Sequence, residues 1–178
     1  MTAPETCENG HLPEALTESM RDAVLTTFES FFEEAPGYLG TTGPEMLEDG
    51  IVGIISFVGD LPWTMMLGLP RPTAAAVALA FVGCEVEFES GDMGDVVGEM
   101  ANIIAGDVVA RLDEAGLTVE MGIPAVTRGH DMEMLSPEGT PGVRLQFELP
   151  AGPFWTEVVV PEGHKEASSR PKCAVCGR

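Results

Sequence analysis

The sequence predicts an α+β fold in which long helices pack on a mostly antiparallel β-sheet. Two pairs of strand-like segments are each separated by a short turn, which is typical of hairpins and therefore of antiparallel pairing. Three further segments have helical apolar spacing, or a long apolar run bounded by helix start and stop residues. With 178 residues, 44% of them hydrophobic, the chain is long enough to build one such core.

Two helices are predicted in the first half of the chain. The first spans residues 12–34, where apolar residues recur at helical spacing and Ala-Pro-Gly at 35–37 supplies a stop. The second begins at Pro72-Thr73, where Thr73 is a candidate N-cap, and continues as an alanine-rich apolar segment to Val82. Because almost every side chain of this segment is apolar, we expect the second helix to be largely buried.

Strands are predicted where β-branched and alternating segments are bounded by turn residues. These segments are residues 51–58, 63–69, 117–123, 143–149 and 154–160. Gly-Asp-Leu-Pro separates the first two segments, and Pro-Ala-Gly-Pro separates the last two. Each of these pairs is therefore expected to form a hairpin.

The chain is strongly acidic, with 29 Asp and Glu against 9 Lys and Arg, a formal net charge of −20 at pH 7. Such a charge repels phosphate backbones and anionic lipids, so we expect no nucleic acid and no membrane as a partner. The longest apolar runs fall short of the roughly 18–20 residues of a membrane span. The N-terminus has neither the basic start nor the apolar centre of a secretory signal, so a cytoplasmic protein is expected.

One domain is expected at residues 12–160, between a mobile N-terminus at residues 1–11 and a flexible C-terminal tail at residues 161–178. Residues 1–160 contain 27 acidic and 5 basic side chains, a balance of −22, whereas the tail is mildly basic. The tail carries Cys173 and Cys176, which match half of a zinc site. Three alternatives remain open for this pair: free thiols, a redox role, and a metal site completed either by Cys7, Cys84 or a histidine of the same chain or by the pair of a second chain. We assign no metal site.

The remaining reactive side chains indicate no further catalytic site. Cys84 ends an apolar segment and is expected to be a small buried hydrophobe. His11, His130 and His164 are far apart in the sequence and form no ligand pair. The sequence also lacks the glycine-rich motifs of esterases, dinucleotide-binding proteins and nucleoside triphosphatases.

A third helix, predicted at residues 92–115, carries the pattern that points to function. Its apolar stripe consists of Met93, Val97, Met100, Ile104, Val108 and Leu112, and Gly116 is available to end the helix. Opposite this stripe, Asp95, Glu99, Asn102 and Gly106 are spaced by four, three and four, which places them on one polar face. A solvated face is one interpretation. A contact surface is the other, because Asn is a poor helix former and Gly costs about 1 kcal/mol relative to Ala in a helix.

These residues resemble a known family. The segment from Asp95 to Gly106, together with the Gly-Ile-Pro-Ala-Val-Thr-Arg-Gly segment at 122–129, resembles the CheX/CheC/FliY chemotaxis phosphatases, and CheX most closely, over about residues 12–160. The family pattern is Asp or Ser, three residues, Glu, two residues, Asn, and a proline some twenty residues later. Asp95, Glu99, Asn102 and Pro124 match it. CheC-type members carry a second Glu-x-x-Asn on the first helix. The segment from Glu29 to Phe32 lacks the Asn, which favours a single site, as in CheX.

The resemblance implies hydrolysis of the aspartyl phosphate of a CheY-type response regulator, which brings its own Mg²⁺, so no cofactor of the chain's own is expected. Asn102 would orient the attacking water and Glu99 would reach a lysine of the regulator, the two catalytic positions. Asp95 and Gly106 would shape the partner-binding face. The resemblance also implies a homodimer, joined at least partly by sheet pairing. A non-catalytic module that docks a regulator or a motor protein is the alternative.

Overall fold

The computed structural model describes residues 14–32, 35–43, 45–135 and 140–161, and within them it shows three helices and seven strands. The helices are α1 (Glu14–Phe31), α2 (Arg71–Val82) and α3 (Gly91–Glu114). The strands are β1 (Gly37–Thr42), β2 (Leu47–Gly59), β3 (Trp63–Pro70), β4 (Val119–Met121), β5 (Ala125–Met132), β6 (Gly142–Leu149) and β7 (Gly152–Val159). The predicted N-terminal segment 1–11 and all but the first residue of the predicted tail 161–178, with Cys7, Cys173 and Cys176, lie outside the described residues.

The sheet confirms the predicted fold class. Its strands run in the order β1-β6-β7-β3-β2, and β4 and β5 both pair with the free side of β2. Every described pairing is antiparallel, and the two predicted hairpins are β2–β3 and β6–β7. β1 and β5 were not predicted as strands. Both lie at an edge of the sheet and are mostly exposed, so no alternation of apolar and polar side chains marks them.

The three helices cover one face of the sheet and form the main core with it. Phe28 of α1 stacks on Phe154 of β7 with ring centroids 4.5 Å apart, and Phe154 in turn stacks on Phe147 of β6 at 5.2 Å. These apolar side chains alternate along β6 and β7 with residues that point to the opposite face. On that opposite face, a buried ion pair joins Arg144 to Glu157 at 2.7 Å.

Helix α2 is less buried than the sequence predicted. Only Thr73, Ala74, Val77 and Ala78 are buried, while the outer side of the helix is partly exposed. Thr73 is not the N-cap, because the helix already begins at Arg71, and its hydroxyl donates instead to the Pro153 carbonyl at 3.0 Å. Cys84, predicted to be buried, is exposed because it follows the end of the helix. Apolar composition therefore predicted the helix but not how much of it the sheet covers.

None of the helices in the described part of the chain is both long enough and apolar enough to cross a membrane.

Candidate functional site

The candidate site lies on α3, a 24-residue helix whose two ends are well defined. The Ser90 hydroxyl caps the start of the helix by accepting a hydrogen bond from the Met93 N–H at 3.3 Å. At the other end, Gly116 adopts φ +86°, and the Leu117 N–H donates back to the Leu112 carbonyl at 2.9 Å. The predicted apolar stripe is buried along the whole helix. Burial of that stripe fixes which side of α3 faces away from the core.

The four predicted site residues share that outward side of α3. At about 100° per residue they fall within an arc of about 60°, and Glu99 and Asn102 are about 4.5 Å apart along the helix axis. Asp95 and Glu99 are exposed, while Asn102 and Gly106 are half-buried. Among the described residues, no hydrogen bond or ion pair occupies the side chains of Asp95, Glu99 or Asn102. The face is thus accessible to a partner without breaking internal contacts.

The glycines of α3 and of the strand beneath it differ in whether packing requires them. A Cβ at Gly98 would lie 3.4 Å from Val126 of β5, and a Cβ at Gly53 of β2 would lie 3.1 Å from the Ala101 Cβ. These two glycines let the helix approach the sheet closely. A Cβ at Gly106, in contrast, would meet nothing within 4 Å. Packing within the described chain therefore gives no reason for glycine at position 106.

Arg128 of β5 holds the segment that leads into α3. Its guanidinium donates to the Phe88 carbonyl, to the Ser90 carbonyl at 2.8 Å and to the Glu89 carbonyl at 2.8 Å. It also pairs with the Glu89 carboxylate at 3.3 Å. These contacts join residues almost forty positions apart in the sequence, so sequence patterns gave no signal for them. They fix the position of α3 relative to the sheet and hence of the site.

A second arginine, Arg71, connects the segment before α3 to β2. Arg71, at the start of α2, pairs with Asp49 at 2.5 Å and with Glu89 at 2.6 Å. The hydrogen bond from Arg71 lowers the pKa of the Asp49 carboxyl below its ordinary value, and the positive charge of Arg71 acts in the same direction. Both carboxylates raise the pKa of Arg71. The pairs are part-exposed, so each contributes modestly and mainly fixes geometry.

The first helix does not carry a second copy of the site. Glu29 of α1 is exposed, but Phe32, at the position where a second Asn would stand, packs its ring on Phe28 with centroids 5.9 Å apart. The position of an amide is therefore taken by a partly buried aromatic ring that packs against the core.

The chemistry available on the α3 face is limited to a carboxamide and two carboxylates. A carboxamide offers a donor and an acceptor together, and a carboxylate accepts charge-assisted hydrogen bonds from a cation. Over residues 14–32, 35–43, 45–135 and 140–161, no group of three or more His, Cys, Asp or Glu side chains could hold a metal ion. The groups on this side of α3 are thus suited to hold a water molecule and a cation.

Comparison with protein families identifies the class of protein. The family model described as "Chemotaxis phosphatase CheX" matches residues 51–148, which is more than half of the chain and includes both α3 and the Pro124 segment. The chain belongs to the CheX family. A search of curated proteins finds no match.

Solved structures show the same fold. CheX from Vibrio vulnificus is 16% identical, with a TM-score of 0.75 over 82% of this chain and 99% of that chain. CheX from Desulfovibrio desulfuricans is 20% identical, with a TM-score of 0.70 over 82% of this chain and 99% of that chain. The Borrelia burgdorferi CheX-CheY-BeF3-Mg²⁺ complex matches at 22% identity and a TM-score of 0.64, over 82% of this chain and 96% of that chain.

Proposed function

We propose that this protein is a phosphatase that hydrolyses the aspartyl phosphate of a CheY-type response regulator. The observation that carries the proposal is the pair Glu99 and Asn102, which lie one turn apart on an anchored helix and are accessible to a partner. Membership of the CheX family supports the class of reaction. The Borrelia CheX complex, in which CheX is bound with CheY, BeF3 and Mg²⁺, supports the class of partner.

Asn102 has the role of orienting water. Its amide accepts from and donates to a water molecule placed in line with the phosphorus, while the Mg²⁺ of the regulator neutralises the phosphoryl oxygens. The water oxygen bonds to phosphorus as the bond between phosphorus and the aspartyl oxygen breaks. Inorganic phosphate and a free aspartate carboxylate result. Positioning is the main requirement, so the chain needs no nucleophile and no cofactor of its own.

Glu99 has the role of orienting the inserted helix. Its carboxylate accepts a charge-assisted hydrogen bond from a lysine beside the phosphorylated aspartate of the regulator. Because Glu99 and Asn102 are separated by one helical turn, both side chains can enter one cleft together. Asp95 lies one turn before Glu99 and Gly106 one turn after Asn102, so both border the same cleft.

The protein acts as a homodimer in the cytoplasm under this proposal. The edge strands β1 and β5 each offer backbone groups to a further strand, and pairing of such edges would continue the sheet between two copies. Sedimentation velocity analysis tests the oligomeric state, and a monomer at micromolar concentration would contradict the dimer.

The test of catalysis is loss of phosphate from a phosphorylated CheY-type regulator of the native host, in the presence of Mg²⁺. Wild-type protein should accelerate the loss, and Asn102→Ala should not. Asp113→Ala, which removes an exposed side chain from the last turn of α3, is the matched control and should retain the acceleration. Binding of the regulator without any acceleration by the wild type would instead support a non-catalytic docking module.

A further inference from the structure

An unusually exposed isoleucine lies beside the candidate site. Ile123, between β4 and β5, is 92% exposed, and the flanking Met121 and Val126 are 42% and 37% exposed. We call these three apolar side chains the edge patch. They belong to a chain with a formal net charge of −20 at pH 7. Exposed apolar side chains that lie close together along the chain are candidates for a contact surface.

The register of the sheet places the edge patch next to α3. Val126 lies opposite Gly53 of β2 and within van der Waals reach of a Cβ at Gly98, one turn before Asn102. Toward the other end of the patch, Met121 pairs with Phe57 of β2. Ile123 therefore lies between these two levels, beside Ile55.

The level of Ile123 along α3 follows from the two rises per residue. Gly53 contacts the helix at Ala101. Ile55 lies two residues beyond Gly53, which is about 7 Å along β2. The same distance along α3 corresponds to about four to five residues. Since α3 runs from Ser90, bound by Arg128, toward Leu117, which lies two residues before β4, this displacement leads toward the end of the helix. Ile123 thus stands level with Ala105 and Gly106 of α3, about one turn beyond Asn102.

The backbone that carries Ile123 is held in place. The Gly122 N–H donates to the Ser56 carbonyl at 2.8 Å, and Pro124 has a fixed φ. On either side, β4 and β5 return to pairing with β2. An apolar side chain that is both fully exposed and held by its backbone is suited to contact a rigid partner with little loss of conformational entropy.

We propose that the edge patch is a docking contact for the same response regulator, covered when Asn102 enters the phosphorylation site. The inference rests on the proposed function for the identity of the partner. It adds that docking has an apolar component beside the helix, at Ile123, in addition to the polar contact of Glu99. The position of Ile123 near the outward side of α3 favours the regulator as its occupant, because a stable interface buries roughly 800 Å² on each partner and a contact of that size around Asn102 would extend to the neighbouring sheet edge.

The experiment compares Ile123→Ser with Leu135→Ser. Leu135 is 82% exposed and lies beyond the far end of β5, so it provides a matched loss of apolar surface away from α3. Affinity for a regulator activated by beryllofluoride and Mg²⁺ is measured by titration at low and high salt, and the KM and kcat of dephosphorylation are measured in parallel. We expect Ile123→Ser to weaken binding and raise KM about tenfold at both salt concentrations, with kcat unchanged. Leu135→Ser should match the wild type.

The outcomes separate this inference from the proposed function. If the wild type binds the activated regulator without accelerating hydrolysis, and Ile123→Ser weakens that binding, the edge patch is supported while catalysis is not. If Ile123→Ser binds as the wild type does, the edge patch is overturned, whatever the catalytic result. If Ile123→Ser changes self-association in sedimentation instead of regulator binding, the patch belongs to a second copy and the inference is wrong. A wild type that binds no activated regulator overturns both.

Discussion

Gly106 is the site residue whose effect on docking can be separated from its effect on folding. Within the described chain, no atom would lie within 4 Å of a Cβ at this position. Glycine destabilises a helix relative to alanine, and internal packing does not require it here. A partner that approaches the helix backbone closely would account for it. Asp95, Glu99 and Asn102 have no described internal partners either, which is consistent with a face used for contact.

Gly106→Ala should raise the stability of the protein and weaken docking. The free energy of unfolding is expected to increase by about 0.5–1 kcal/mol, because alanine is the better helix former. The added methyl group would separate α3 from the regulator. Gly94→Ala is the matched control, since a Cβ at Gly94 also meets nothing within 4 Å but points about 100° away from Asp95. Urea unfolding and regulator titration measure both effects, and normal docking by Gly106→Ala would contradict this role.

Glu99→Gln should weaken docking more than it slows the chemical step. Loss of a charge-assisted hydrogen bond costs about 1.5–3 kcal/mol, so KM should rise by roughly 10- to 150-fold. Glu114→Gln makes the same change of charge at the exposed end of α3 and should leave KM unchanged. Steady-state kinetics of phosphate release measure both variants, and an unchanged KM for Glu99→Gln would count against the lysine contact.

At the scale of elements, α3 depends on long-range anchors that no local pattern reveals. The stripe of α3 and the two hairpins could be predicted, because burial of one face imposes a period on the sequence. The edge strand β5 could not, since its exposed residues lack that period. The role of Arg128 in β5 could not be predicted either. Its three carbonyl partners are distant in the sequence, so nothing in the sequence distinguishes it from an exposed arginine.

Arg128→Met should destabilise the fold and loosen the start of α3. Three backbone carbonyls lose their donor, and an expected cost of about 1–3 kcal/mol follows from leaving part-buried acceptors unpaired. Arg21→Met is the control, because Arg21 pairs with its neighbour Asp22 on the exposed surface of α1 and should change stability little. Hydrogen exchange of the α3 amides should rise in Arg128→Met alone. Equal stability of the two variants would show that the anchor does not hold the helix.

The Asp49–Arg71 pair predicts a stability difference that depends on pH. Because the pKa of Asp49 is lowered in the folded protein, the pair stabilises the fold above the ordinary carboxyl pKa of about 4, and this stability is lost as pH falls through the folded pKa. Asp49→Asn should therefore lower Tm at pH 7, and the difference from the wild type should shrink as the pH falls below about 4. Thermal unfolding across this range tests the sign, and a difference that grows toward low pH would contradict it.

At the scale of the whole molecule, net charge opposes docking to an acidic regulator. With −20 overall, the protein repels a partner of the same sign, and the repulsion is screened over about 10 Å at 0.1 M salt. Under the proposed function, the charge-assisted hydrogen bond of Glu99 would form despite this repulsion. Burial of apolar surface at Ile123 does not depend on charge, so the proposed contact of the edge patch would keep its strength as salt is raised.

Association with a regulator of negative net charge should become faster as salt is raised from 50 to 300 mM. Stopped-flow measurement of the association rate tests this, since long-range repulsion acts on encounter more than on the formed complex. A regulator of positive net charge is the control and should show the opposite trend. An association rate with the acidic regulator that falls steeply with salt would mean that local attraction outweighs the net charge.

The measurement that tests the central claim most directly is the dephosphorylation rate at saturating protein, compared between the wild type and Asn102→Ala, with binding to the beryllofluoride-activated regulator measured alongside. The wild type should accelerate phosphate release, and Asn102→Ala should lose that acceleration by about a hundredfold or more while binding with similar affinity. Retained acceleration by Asn102→Ala at saturation would show that another group orients the water and would contradict the role proposed for α3.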